Sequence, residues 1–103
     1  MANYLLNYFG GSMPETDEAR ARVTDAWNAW FGKLGEAVVD GGNPVSQSRA
    51  ISPDGSVMDA TMAPSGYSVI SAGNIDAAVE AAKGCPVLAG GGTIVVSETF
   101  NAM

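Results

Sequence analysis

Residues 66–98 read GYSVISAGNIDAAVEAAKGCPVLAGGGTIVVSE, and their order predicts strand, helix, glycine-rich bend and strand. In the first strand, residues 67–72, Tyr67 and Val69 share one face while Ile70 and Ala72 share the other. Asn74 is placed to cap a short helix whose apolar stripe is Ile75, Ala78, Val79 and Ala82. Gly84 stands where a helix C′ residue belongs, with Pro86 just beyond. Residues 89–92 bend the chain into a final strand at 93–97, rich in β-branched residues.

Working outward, residues 3–9 (NYLLNYF) form an aromatic-rich strand ended by Gly10 and Gly11. Tyr4, Leu6 and Tyr8 point to one side, and Leu5, Asn7 and Phe9 to the other. Ser12 to Glu15 has the spacing of a capping box, and Thr16 is a rival N-cap that would put Asp17 and Glu18 in the first turn. Val23, Trp27, Trp30, Phe31, Leu34 and Val38 then recur as one stripe of helical period, which predicts a helix over about 15–37. Gly32 and Gly35 weaken its last turns by roughly 1 kcal/mol each relative to Ala. DGGNP at 40–44 is a turn. Residues 45–52 and 56–61 are two weaker strands around a hairpin turn at Pro53, Asp54 and Gly55. The tail, 99–103, is expected to fray or to pack on a partner.

The order is β-α-β-β-(β)-α-β, an α+β chain. It predicts a ferredoxin-like βαββαβ sandwich, an antiparallel sheet with two helices on one face. Two helices cover only one face of such a sheet, yet three strands are apolar on both. A second copy of the chain is the expected cover, giving a homodimer through the sheet face with a cleft between the sheets.

The 103 residues fit one domain, 1–103, and 47% hydrophobic content supports a packed core. The net charge is −6, and the basic residues Arg20, Arg22, Lys33, Arg49 and Lys83 are scattered. That disfavours nucleic acid and anionic membrane as partners. A single cysteine excludes an internal disulfide, and no apolar run is long enough to span a membrane. The first residues lack the basic region of a signal peptide, so a cytoplasmic location is expected. The absence of histidine removes the commonest general base and zinc ligand, so no metal site is expected and no cofactor is indicated.

Several pieces in sequence order resemble the YCII-related domain family of the dimeric α/β-barrel superfamily. They are YLL…Y in the first strand, Pro14-Glu15, Ala29-Trp30-Phe31…Leu34-Gly35 and DGGNP at 40–44. DGSV at 54–57, GYS at 66–68, DAA…AKGCP at 76–86 and Gly91-Gly92 complete the match, which runs the full length. The resemblance implies a ferredoxin-like protomer and a sheet-to-sheet dimer. Some relatives carry a His–Asp pair at the cleft, which this chain cannot supply. Another branch carries Asp-Gly-Pro-Phe where this chain reads Asp59-Ala60-Thr61-Met62, and only the aspartate is shared.

Candidate chemistry is sparse. Asp40, in the turn, would serve as a general base if burial raised its pKa. Arg49 and Asp59 flank the hairpin turn; pairing positions that sum to about 109 makes them diagonal neighbours, more suited to a salt bridge than to substrate binding. Tyr4, Tyr8 and Tyr67 lie on central strands, where Tyr4, Tyr8 and Arg49 are candidate ligand-binding groups and Asp40, Asp59 and Tyr67 candidate catalytic ones. Trp27 and Trp30 belong to the core. Gly90–Gly92 precedes a strand, whereas a phosphate loop opens a helix, so it is a bend. Cys85 follows a helix C-terminus, which raises a thiol pKa, and no histidine activates it. The leading functional expectation is a small dimeric YCII-like domain of undefined activity with a small-molecule ligand in its cleft. One alternative is an isomerase, decarboxylase or dehalogenase using carboxylate and tyrosine, which leaves enzyme status open. Another is a structural or regulatory dimer without ligand.

Overall fold

A computed structural model describes residues 1–12 and 14–102. In chain order the elements are β1 (Ala2–Phe9), α1 (Asp17–Leu34), a single 3-10 turn (Gly35–Ala37), β2 (Val38–Asp40), β3 (Arg49–Ile51), β4 (Val57–Asp59), β5 (Gly66–Ala72), α2 (Ile75–Ala82), α3 (Pro86–Ala89) and β6 (Thr93–Glu98). Four strands form an antiparallel sheet in the order β2-β5-β1-β6, while β3 and β4 pair only with each other. This is an α+β protein whose main sheet and crossing helices have the order of a ferredoxin-like sandwich.

The second strand of that sheet is not the one expected. Residues 45–52 do not enter it; Val38–Asp40 does, by pairing with β5 at Val38–Ile70 and Asp40–Val69 across a bulge. Val38 is in phase with the helical stripe and hides the change of structure. The break is made by Gly35, whose φ of +56° ends α1 and turns the chain back to the sheet. The N-terminus of α1 resolves in favour of Thr16, whose side chain accepts from the Ala19 amide at 3.0 Å. The expected capping box is not used: Ser12 donates its amide and its hydroxyl to the Gly90 carbonyl, and Met13 lies outside the described residues. The 86–89 turn of helix was also not anticipated. The tail is tied down at its start, where Thr99 donates its amide and its hydroxyl to the Asn3 carbonyl; Met103 lies outside the described residues.

The core lies between the sheet and the helices. Tyr4, Leu6 and Tyr8 of β1, Ile70 and Ser68 of β5, Trp30 of α1, and Ala78 and Ala82 of α2 are buried there. Tyr8, Trp27, Trp30 and Phe31 stack with ring centroids 5.1–5.7 Å apart. Trp30 also donates its indole N–H to the Ala81 carbonyl at 3.0 Å, which ties α1 to α2. Gly84 is needed for that approach, because a Cβ there would lie 3.2 Å from the Trp30 ring. The first half of α1 is charged and exposed on every side except at Ala19.

Gly42 holds the turn after β2. Its φ is +77°, and a Cβ on it would overlap the Tyr67 carbonyl. A Gly42→Ala substitution should therefore cost at least about 2 kcal/mol in a urea unfolding titration. Gly73→Ala, where the space is open, should stay within about 1 kcal/mol of the parent chain.

Candidate functional site

β1 and β5 are the central strands, and the alternation of their side chains gives the sheet two unlike faces. The helix side carries Tyr4, Leu6, Tyr8, Ser68 and Ile70. The opposite side carries Leu5, Asn7 and Phe9 of β1 beside Tyr67, Val69 and Ser71 of β5 and Val95 and Ser97 of β6. Asn7 stands between Tyr67 and Val95, and Leu5 between Val69 and Ser97. No helix among the described residues covers this side. Its residues are half-buried by one another, and Val95 is 45% exposed. The open face is thus apolar, crossed by the neutral polar groups of Asn7, Tyr67, Ser71 and Ser97.

The proposed site residues scatter around it. Tyr67 is on the open face, opposite Asn7. Tyr4 and Tyr8 are beneath the helices and do not reach that face. Tyr8 donates its hydroxyl to Ser68 Oγ at 2.7 Å, and Ser68 Oγ donates to the Gly41 carbonyl at 2.8 Å. Tyr4 donates to Glu98 Oε1 at 2.7 Å, and that hydrogen bond to a carboxylate raises its pKa. Asp40 is exposed and its Oδ1 accepts from the Gly42 amide at 2.8 Å, so it caps a turn.

Arg49 and Asp59 are directly opposite in the β3–β4 register, with Ala50 opposite Met58 and Ile51 opposite Val57. The register is shifted by one residue from the diagonal pairing expected, the pairs summing to 108. No ion pair joins the two among the described residues; the Arg49 guanidinium donates to the Ser48 carbonyl at 2.9 Å. Gly90–Gly92 turns into β6 through hydrogen bonds donated by the Gly91 and Gly92 amides to the Leu88 and Val87 carbonyls, and a strand rather than a helix follows it.

Cys85 is buried, and burial raises its thiol pKa; the Val87 amide and the Tyr8 hydroxyl pull weakly the other way. Desolvation rather than a helix dipole is the cause, since Cys85 sits at the N-cap of α3. Burial also drives the Tyr8 phenol far up, against the lowering effect of Ser68. No metal-binding cluster of His, Cys, Asp or Glu occurs among the described residues, and no helix among them is long and apolar enough to cross a membrane.

No protein-family model, curated protein or solved structure matches this chain.

The Tyr8–Ser68–Gly41 chain is a structural link. Ser68→Ala would leave a buried phenol without its acceptor and a carbonyl without its donor, costing about 1–3 kcal/mol, while Tyr8→Phe should cost only about 1 kcal/mol. Chemical denaturation of both variants should show that ranking. Tyr8 and Cys85 are both held neutral in the fold, with pKa values raised above those of the unfolded chain. Their contribution is whole below the unfolded values and is lost as pH rises through the folded ones. The Tm should accordingly fall above about pH 9, and Cys85→Ala with Tyr8→Phe should flatten that decline.

Proposed function

We propose that the chain works as a homodimer in which two copies stack their open sheet faces and leave a cleft for a small, neutral, polar molecule. The observation that carries this is surface area. A folded monomer of 10.5 kDa exposes about 5,400 Å², whereas this chain exposes 7126 Å². Burying the excess of roughly 1,700 Å² on each copy gives an interface within the range of obligate homodimers, about 2,000–5,000 Å² in total. The radius of gyration, 15.1 Å, also exceeds the roughly 13 Å of a compact chain of this length. The molecule is only 18 Å thick, the depth of one sheet with one layer of helices.

The resemblance to YCII-related domains supports the same assembly, a dimeric α/β barrel. Asn7, Tyr67, Ser71 and Ser97 would line the cleft with hydroxyls and an amide, which suits hydrogen bonding to an uncharged ligand. The enzymatic alternative gains little from the geometry. Asp40 and Asp59 are exposed, and Tyr8 holds its proton beneath the helices.

At micromolar concentration, sedimentation equilibrium should return twice the chain mass of 10.5 kDa. A monomer would sink the assembly. Leu5→Asp together with Val95→Asp should convert the dimer to a folded monomer, since charges on both copies would be buried without partners. A thermal-shift panel of small neutral polar metabolites tests the cleft: a raised Tm supports a ligand site, and no shift leaves a dimer without one.

A further inference from the structure

The β3–β4 hairpin stands apart from the sheet it was expected to join. It leaves through the Pro44–Gly66 bridge and the Val45 amide bond to the Ser65 carbonyl, and it turns at 52–56, where Ser52 and Ser56 close the tip and Asp54 Oδ1 accepts from the Ser56 amide and hydroxyl. Its two strands bond only to each other. An isolated two-stranded hairpin is marginally stable in water at best. This one also exposes large apolar side chains: Ile51 is 73% exposed and Val57 65%, and Met62 just after it 74%. Ile51 and Val57 are opposite one another, so they form one exposed patch near the tip.

The excess surface says where that patch goes. The four strands, of 8, 7, 6 and 3 residues and spaced about 4.8 Å, present roughly 400 Å² in projection, and under about 900 Å² even when doubled for corrugation. The open face therefore cannot hold the whole excess of roughly 1,700 Å². Two exposed parts of the chain lie outside the sheet. The first half of α1 carries Asp17, Glu18, Arg20, Arg22 and Asp25 and is solvated. The hairpin is the apolar one.

We infer that residues 45–65 form an arm that clasps the second copy, burying Ile51 and Val57 against it. This rests on the homodimer reading and adds to it a contact outside the stacked sheets. The arm makes each copy cover part of the other, so the interface continues past the sheet edge.

The test is a photo-crosslink on the whole chain. Val57→p-benzoylphenylalanine is placed in a mixture of isotopically light and heavy chains, irradiated and digested. Light-to-heavy crosslinks from position 57 are expected. Crosslinks confined to single chains, in a sample that sediments as a dimer, overturn the arm while leaving the dimer standing. A monomeric parent chain overturns both. A labelled chain that is monomeric while the parent is dimeric counts for the arm. As a second measurement, Ile51→Ser with Val57→Ser should weaken the dimer at least tenfold, and an unchanged dissociation constant overturns the clasp.

Discussion

Along β1, Tyr4, Leu6 and Tyr8 alternate with Leu5, Asn7 and Phe9, so one central strand carries two faces that both resist water. A single layer of helices can cover one of them. The helix side is closed by the four stacked rings of Tyr8, Trp27, Trp30 and Phe31 and by the indole bond from Trp30 to α2. No helix among the described residues covers the other side. The thin shape follows from that asymmetry, one sheet with one layer of helices.

The polar groups inside serve the fold. Among the described residues Ser68 is the one buried polar residue on the helix side, and it accepts from Tyr8 while donating to Gly41. Every buried side-chain nitrogen and oxygen among the described residues has a partner. A satisfied chain of this kind anchors the β2 turn to the sheet and leaves no reactive group idle. Cys85 fits the same pattern, a small buried side chain kept neutral by desolvation.

The surface residues have a different character from this satisfied interior. The carboxylates are exposed, the phenols of Tyr4 and Tyr8 are committed to internal partners, and the open face is neutral. The proposed stacking of two copies around an uncharged ligand would use that face.

Residues 66–98 were legible as strand, helix, bend and strand because their periods change cleanly and Asn74 marks the helix start. The two-faced character of β1 and β5 was equally plain, since alternation fixes which side chains share a face whatever the partners are. Other features needed the tertiary structure. Val38–Asp40 became a strand because the edge of β5 was free to pair with it, although its first residue continues the helical stripe. Tyr4 and Tyr8 lie beneath the helices because Trp27 and Trp30 pack on that side, and no pattern within one strand tells which of its two apolar faces a helix will choose. The hairpin at 49–59 was readable as a hairpin. Its exclusion from the sheet was not, because strand pairing is decided by which edges remain open once the rest has folded.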